Sequence, residues 1–184
     1  MSRSSPTQVP GTTWSNASSG AGHMMALKTD GTIWAWGYNG WGSLGQNNRT
    51  DYSSPKQIPG TTWSVIDVGE LSMAAIKTDG TLWSWGGGTY GQLGDNQGAP
   101  SCKYSSPVQV GSGSDWSDVA IDWKMNSYAI KTDGTLWGWG WNQYGDIGSN
   151  NTTKYSSPVQ IGSETDWSWL SDGGYSGCFR GKRI

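Results

Sequence analysis

The sequence is poor in the residues from which most catalytic and metal sites are built. Its 184 residues include two cysteines and one histidine, and only 14% of them are charged. Two cysteines are too few for a disulfide framework, and no phosphate-binding loop, nucleophile elbow or Cys/His metal cluster is present. We therefore expect no catalytic residue, no metal ligand and no cofactor, and we predict that the protein is not an enzyme.

Long apolar runs and basic clusters are also missing. No apolar stretch approaches the roughly 18 residues that cross a bilayer. The net charge is −2, and the densest basic segment is Arg180-Gly-Lys-Arg183. We expect neither a membrane span nor a nucleic-acid partner, since phosphate binding needs a concentrated basic face. The first residues lack the apolar core of a signal peptide, which predicts a protein that is cytoplasmic at synthesis.

Glycine and tryptophan are abundant instead. The chain has 29 Gly, 14 Trp and 8 Tyr beside a single Phe. Each tryptophan offers about 150–250 Å² of surface that can be buried, which favours a packed β-structure over a disordered chain.

Internal repeats organise the whole chain. The pentapeptide Lys-Thr-Asp-Gly-Thr occurs three times, and each copy is followed by an aliphatic residue and Trp-x-Trp-Gly. Gly-x-(Leu/Ile)-Gly comes next, and then Ser-Pro-x-Gln-(Val/Ile) followed by a tryptophan. The period is about fifty residues. We predict one repeat domain over residues 1–184, with units at 5–53, 54–105 and 106–156 and a partial unit at 157–184.

Each unit divides into about four short strands. The strands are a Trp-led segment such as 63–68, a small apolar run such as 73–77, the Trp-x-Trp segment and the Pro-x-Gln-Val segment. Asp-Gly is typical of the tight hairpin between the second and third strands. Proline at the start of the fourth strand suits an outer edge, because proline cannot donate a ladder hydrogen bond.

The Trp-x-Trp strand has one bulky face and one small face. Residues alternate along a strand, so Trp34 and Trp36 point one way while Ile33 and Ala35 point the other. This asymmetry suits sheets stacked face to face, with the Trp face of one sheet against the small face of its neighbour. The prediction is an all-β protein of β-propeller blades, about three complete four-stranded blades plus a partial fourth.

These motifs resemble the repeats of the regulator of chromosome condensation family. The matching segments are 21–27, Trp36-Gly37, Tyr90–Gly94 and Tyr144–Gly148, and the Lys-Thr-Asp-Gly-Thr wording is most similar to the bacterial and phage branch. The resemblance implies a seven-bladed propeller, and a chain of 184 residues is too short to form all seven blades. The first unit starts with an orphan outer strand at Pro6, and the last stops at 180–184, where Lys-Thr-Asp-Gly should begin. Such open ends need cover, so we expect self-association or a larger assembly ahead of a fragment of a longer propeller.

The polar candidates have structural interpretations. His23 is expected to be a structural residue hydrogen-bonded within a blade, and its equivalents are Ser72, Asn126 and Tyr175. Asp30, Asp79 and Asp133 are expected in hairpin turns. Cys178 is expected to be a small buried residue at the position of Ala26, and Cys102 falls in a loop.

Loop aromatics are the candidate interaction residues. Trp41, Tyr90, Trp141 and Tyr144 flank the Gly-x-(Leu/Ile)-Gly elements, and Trp41 and Trp141 break the repeat pattern. Exposed amphipathic rings are enriched at protein interfaces and sugar sites. We predict a non-enzymatic protein-interaction or structural module, such as a phage virion or assembly component. The alternative is a carbohydrate-binding, lectin-like propeller, and a guanine-nucleotide exchange factor-like regulator is a remote third.

Overall fold

The protein folds as a row of four-stranded antiparallel sheets. The computed structural model describes residues 5–97, 103–171 and 180–183, and the described residues form no helix. Sheet 1 consists of β1 (Trp14–Ser19), β2 (His23–Lys28), β3 (Ile33–Gly37) and β4 (Tyr52–Ile58). Sheet 2 consists of β5 (Trp63–Val68), β6 (Ser72–Lys77), β7 (Leu82–Gly87) and β8 (Lys103–Gln109). Sheet 3 consists of β9 (Trp116–Ile121), β10 (Asn126–Lys131), β11 (Leu136–Gly140) and β12 (Tyr155–Ile161).

A two-stranded hairpin follows sheet 3. It pairs β13 (Trp167–Ser171) with β14 (Arg180–Arg183), and no third strand pairs with β14 in the part of the chain that is described. Strand order in every sheet equals chain order. The predicted all-β architecture, with three complete four-stranded blades and a partial fourth, is confirmed.

The Lys-Thr-Asp-Gly-Thr motif builds the hairpin between the second and third strands. In sheet 1, Gly31 has φ +76° and its N–H donates to the Lys28 carbonyl at 3.1 Å. A turn that ends with glycine in the left-handed region is the usual three-residue hairpin loop. The Asp30 carboxylate accepts hydrogen bonds from the Thr32 hydroxyl at 2.7 Å and the Thr32 N–H at 3.0 Å, which lower the pKa of Asp30. The Thr32 hydroxyl in turn accepts the Trp34 Nε1–H at 3.0 Å.

Sheets 2 and 3 repeat this hairpin with the same partners. The equivalent residues are Asp79, Thr81 and Trp83 in sheet 2 and Asp133, Thr135 and Trp137 in sheet 3. The predicted role of the three aspartates as turn residues is confirmed. The motif also fixes the first indole of Trp-x-Trp, a function that the sequence alone does not reveal.

Proline lies on the predicted outer edge but not at the predicted place in the strand. β4 begins at Tyr52, so Pro55 sits in its middle, and β8 and β12 are built in the same way. The pairing of β3 with β4 is irregular between Ala35 and Gly37, close to the proline. The prediction of proline at the strand start is wrong, because an edge strand tolerates a missing N–H along its length. The outer strand predicted at Pro6 is absent, since residues 5–13 belong to no strand.

Tryptophan faces pack on aliphatic faces, as predicted. Trp85 of sheet 2 is fully buried against the aliphatic face of sheet 1, and its Nε1–H donates to the Ser43 carbonyl at 2.7 Å. Trp139 of sheet 3 repeats this arrangement on sheet 2, donating to the Gln92 carbonyl at 2.9 Å. The two acceptors belong to the Gly-x-(Leu/Ile)-Gly elements, so this motif caps the Trp-x-Trp strand of the next sheet.

Each hairpin glycine also contacts the following sheet. Its carbonyl accepts the backbone N–H of the next leading tryptophan, in the pairs Gly31–Trp63 (3.0 Å), Gly80–Trp116 (3.1 Å) and Gly134–Trp167 (3.2 Å). A Cβ atom added at Gly80 would lie 2.1 Å from the carbonyl oxygen of Ser114, in the connection that leads into sheet 3. Only glycine fits this approach, so the motif joins neighbouring sheets as well as neighbouring strands.

The register of the last hairpin corrects one predicted equivalence. Arg183 pairs with Trp167 as Lys28 pairs with Trp14. This register places Gly181, and not Cys178, at the position of Ala26. The remaining predictions for Cys102, Cys178 and Tyr175 fall on residues outside those described.

Candidate interaction site on the loop face

All four predicted interaction residues lie at the same edge of the sheets. Antiparallel strands place the first-to-second and third-to-fourth strand connections at one edge and the Asp-Gly hairpins at the other. We call the former edge the loop face. Trp41, Tyr90, Trp141 and Tyr144 belong to its third-to-fourth connections.

Three of the four lie close together, and Trp41 lies apart from them. Tyr90 stacks on Trp141 with ring centroids 4.5 Å apart and an interplanar angle of 30°. Tyr144 is 68% exposed and lines the same cleft as Trp141. Trp41 instead packs over Gly87, and the Lys103 ammonium lies 4.0 Å from its ring centroid. Of the four rings, only that of Tyr144 is exposed, and the open part of the predicted site is therefore the cleft that Tyr144 lines with Trp141.

That region is a cleft between sheets 2 and 3, which we call the aromatic cleft. It encloses about 320 Å³ and is lined by Glu70, Trp123, Lys124, Met125, Trp141 and Tyr144. Three separate connections contribute these side chains: β5–β6, β9–β10 and β11–β12. Sequence analysis found Trp141 and Tyr144 but missed the other four residues.

The β9–β10 connection is held in a fixed shape by Asp122. One carboxylate oxygen accepts the N–H groups of Lys124 and Asn126, each at 2.8 Å, and the other accepts the Asn126 amide at 2.9 Å. Burial raises the pKa of Asp122, while these hydrogen bonds oppose the rise. Met125 has φ +63°, and its carbonyl accepts the Trp141 N–H at 3.1 Å. A non-glycine residue in the left-handed region is uncommon, and such strain often accompanies function.

Departures from the repeat pattern meet in this cleft. Sheets 1 and 2 carry Gly20-Ala-Gly22 and Gly69-Glu-Leu71 between their first two strands, whereas sheet 3 carries Asp122-Trp-Lys-Met125. Trp141 likewise replaces the residues found at Tyr38 and Gly87. This mismatch at 122–125 is the signal that could have located the missed residues, because repeats are expected to diverge where packing does not dictate the side chain.

The two charged side chains that line the cleft differ in whether they have a partner. The Lys124 ammonium lies 3.7 Å from the Asp146 carboxylate and 5.1 Å from the Tyr144 ring centroid. The Glu70 carboxylate makes no hydrogen bond or ion pair with any other residue that the structure describes. One uncompensated negative charge therefore borders the aromatic rings.

His23 is buried, and within the described ranges the predicted hydrogen bond is not found at its Nε2. It lies at the start of β2 with 3% of its surface exposed, and its Nε2 has no hydrogen-bond partner among the described residues. Burial lowers its pKa to about 4. The side chain is therefore neutral at physiological pH.

The carboxylates of the innermost strands serve as links between sheets. Asp67 on β5 accepts the Ser18 hydroxyl of sheet 1 at 2.9 Å and the Ile121 N–H of sheet 3 at 2.6 Å. Asp118 on β9 accepts the Leu170 N–H at 2.6 Å. Across the described ranges, no group of three or more His, Cys, Asp and Glu side chains is placed to hold a metal ion. No helix in the same ranges could cross a bilayer.

Sheets stacked in series, Trp face on aliphatic face, define a repeat protein of the β-propeller class. The repeat described as Regulator of chromosome condensation (RCC1) repeat matches residues 30–69, 79–121 and 133–178. The chain belongs to the RCC1 repeat family.

Relatives and solved structures agree with this assignment. The chain is 31% identical over 144 residues to the ultraviolet-B receptor UVR8 of Arabidopsis thaliana, covering 77% of this chain and 32% of UVR8. The structure of Prp20p from Saccharomyces cerevisiae superimposes with a TM-score of 0.77 at 20% identity, covering 94% of this chain and 44% of Prp20p. Human WBSCR16 gives a TM-score of 0.69 at 20% identity, covering 80% and 37%. The chain thus spans less than half the length of each of these three proteins.

Proposed function

We propose that the protein is a non-enzymatic protein-interaction module whose partner binds in the aromatic cleft. The observation that carries this proposal is the convergence of the non-repeated residues 122–125 and Trp141 at one exposed place on the loop face. Tryptophan, tyrosine and methionine are also enriched at the energetic centres of protein interfaces. The hydrogen bonds of Asp122 hold one wall in place, which reduces the ordering cost of binding.

Two structures of the same fold support a role in protein binding. Yeast Prp20p has been studied for its binding to Gsp1p and histones, and the yeast protein RCC1 (Prp20) has been crystallised with Kap60. At 19–20% identity these likenesses concern the fold, so the partner of this chain has to be found by experiment. Guanine-nucleotide exchange ranks last among the functions considered, because no feature beyond the fold supports it.

We also propose that the module works within a larger assembly, such as a phage particle, or with a second copy of itself. The basis is the resemblance of the Lys-Thr-Asp-Gly-Thr repeats to the phage branch. In addition, Trp36 of sheet 1 is only partly buried, whereas its equivalents Trp85 and Trp139 are covered by a neighbouring sheet. Light scattering tests self-association, and a soluble, folded species with the mass of one chain would contradict it.

Site-specific photo-cross-linking tests the interaction role. A benzophenone side chain replaces Tyr144 at the cleft and, as the matched control, Tyr38, which is 52% exposed on the loop face of sheet 1. We expect one discrete protein adduct from the Tyr144 position in producer cells, identified by mass spectrometry, and its loss when Trp141→Ala is added. Equal adducts from both positions, or none from Tyr144, would contradict the proposal.

Carbohydrate binding is the second candidate function. The stacked pair of Tyr90 and Trp141, with exposed Tyr144 beside it, resembles the flat aromatic platforms on which sugar rings pack. A glycan array probed with the protein and with Trp141→Ala decides this alternative. Binding that depends on Trp141 would favour it, and an array without signal would remove it.

A further inference from the structure

Among the described residues, the aromatic cleft contains one charged side chain without a partner, the negatively charged Glu70. Lys124 is already neutralised by Asp146 at 3.7 Å, whereas Glu70 has no partner among the described residues. Asp122, which precedes the lining residues 123–125 in the chain and accepts the Lys124 N–H, adds a further carboxylate next to them. The lining and its immediate support therefore carry three acidic groups against one basic group, and the local field attracts cations.

The rings of the cleft are also suited to a cation. Trp141 and Tyr144 line it together with Trp123, and the faces of tryptophan and tyrosine attract cations through their quadrupole. The position of Lys124, 5.1 Å from the Tyr144 ring centroid, is an internal example of this attraction. Lys124 is the one basic residue of the lining and is paired with Asp146, so Glu70 remains available to a second cation.

We propose that the aromatic cleft binds an arginine side chain presented by the partner protein, with the guanidinium on the aromatic rings and its N–H groups donating to the Glu70 carboxylate. This inference rests on the proposed function and specifies the partner's chemistry. Arginine fits better than lysine, because its planar group stacks on rings and pairs with a carboxylate through two parallel hydrogen bonds. The cleft, with a volume of about 320 Å³, is large enough to admit one such side chain.

Titration with short peptides tests the proposal directly. The probe is N-acetyl-Gly-Arg-Gly-amide, and the matched controls contain citrulline, its neutral isostere, or lysine. The indole N–H signals of the protein are followed by NMR, with the signal of Trp141 assigned from Trp141→Phe. We expect a saturable shift of this signal with a dissociation constant on the order of millimolar, as suits a single anchoring side chain.

Substitution of Glu70 provides the decisive comparison. Glu70→Gln should weaken the arginine peptide about three- to five-fold, the size expected for one partly exposed charge pair. Glu164→Gln, which removes an exposed carboxylate on the link between β12 and β13, should leave binding unchanged. Equal binding of the citrulline peptide, or no effect of Glu70→Gln, would overturn the inference.

The photo-cross-linking experiment and the peptide titration can fail independently of each other. An adduct at Tyr144 without arginine binding would leave the interaction role standing and overturn the arginine assignment. Arginine binding that disappears in Glu70→Gln but not in Glu164→Gln would support the assignment whatever the identity of the partner.

Discussion

Protonation of His23 should make the stability of this protein depend on pH in a defined window. The imidazole is 3% exposed, and burial lowers its pKa from 6.5 to about 4. Between these values the unfolded chain binds more protons than the folded protein, so stability falls as the pH falls. The contribution is complete above pH 6.5 and is lost progressively toward pH 4. The difference in this contribution between about pH 7 and about pH 4.5 is about 2 kcal/mol.

The variant that isolates this effect is His23→Asn, because asparagine is the native residue at the equivalent position 126 of sheet 3. Free energies of unfolding are measured with urea at both pH values for the two proteins. We expect the wild type to lose about 2 kcal/mol more than the variant on acidification. The carboxylates are common to both proteins, so their titration cancels in the comparison. Parallel pH profiles would refute the assignment of His23 as a buried neutral group.

Further predictions concern the junctions and the hairpins. Gly80→Ala should destabilise the fold by more than about 2 kcal/mol, because strain at positive φ is combined with a clash. Gly111→Ala should cost only about 1 kcal/mol, because φ is also positive there but the space around the glycine is open. Equal urea midpoints of the two variants would contradict this prediction. Trp85→Phe should cost about 2 kcal/mol more than Trp36→Phe in thermal or urea unfolding, because only the former breaks a buried hydrogen bond to the neighbouring sheet. Thr81→Val should cost about 1 kcal/mol and Thr81→Ser much less, since serine keeps the hydroxyl that links the turn to the indole.

The fold was predictable because the signals repeat. The Trp-led strand predicted at 63–68 has the observed bounds of β5, and the alternation of Trp34 and Trp36 with smaller residues gave the correct stacking of sheets. The absence of a strand at Pro6 escaped prediction for a physical reason. An edge strand exists only when another strand donates to it, and this condition is invisible in the local sequence.

The candidate site was only partly predictable. Tyr144 and Trp141 stood out as aromatics in glycine-rich loops, but Trp41 has the same signal and packs on Gly87 instead. Glu70 and Trp123 lie in a different connection, and their proximity to Trp141 follows from the packing of sheets 2 and 3. Composition identifies which side chains are suited to binding, whereas three-dimensional packing decides which of them line the same cleft.

The Trp63 N–H donates a hydrogen bond to the Gly31 carbonyl, and this contact defines the length of chain, one repeat unit, by which such a protein can be lengthened or shortened. Excising residues 63–115 would bring Trp116 onto Gly31 and Trp139 onto the carbonyl that Trp85 now uses. A deletion of any other length would leave a tryptophan indole without the carbonyl that accepts its hydrogen bond. We therefore expect the fold to tolerate duplication or loss of one whole unit at a time.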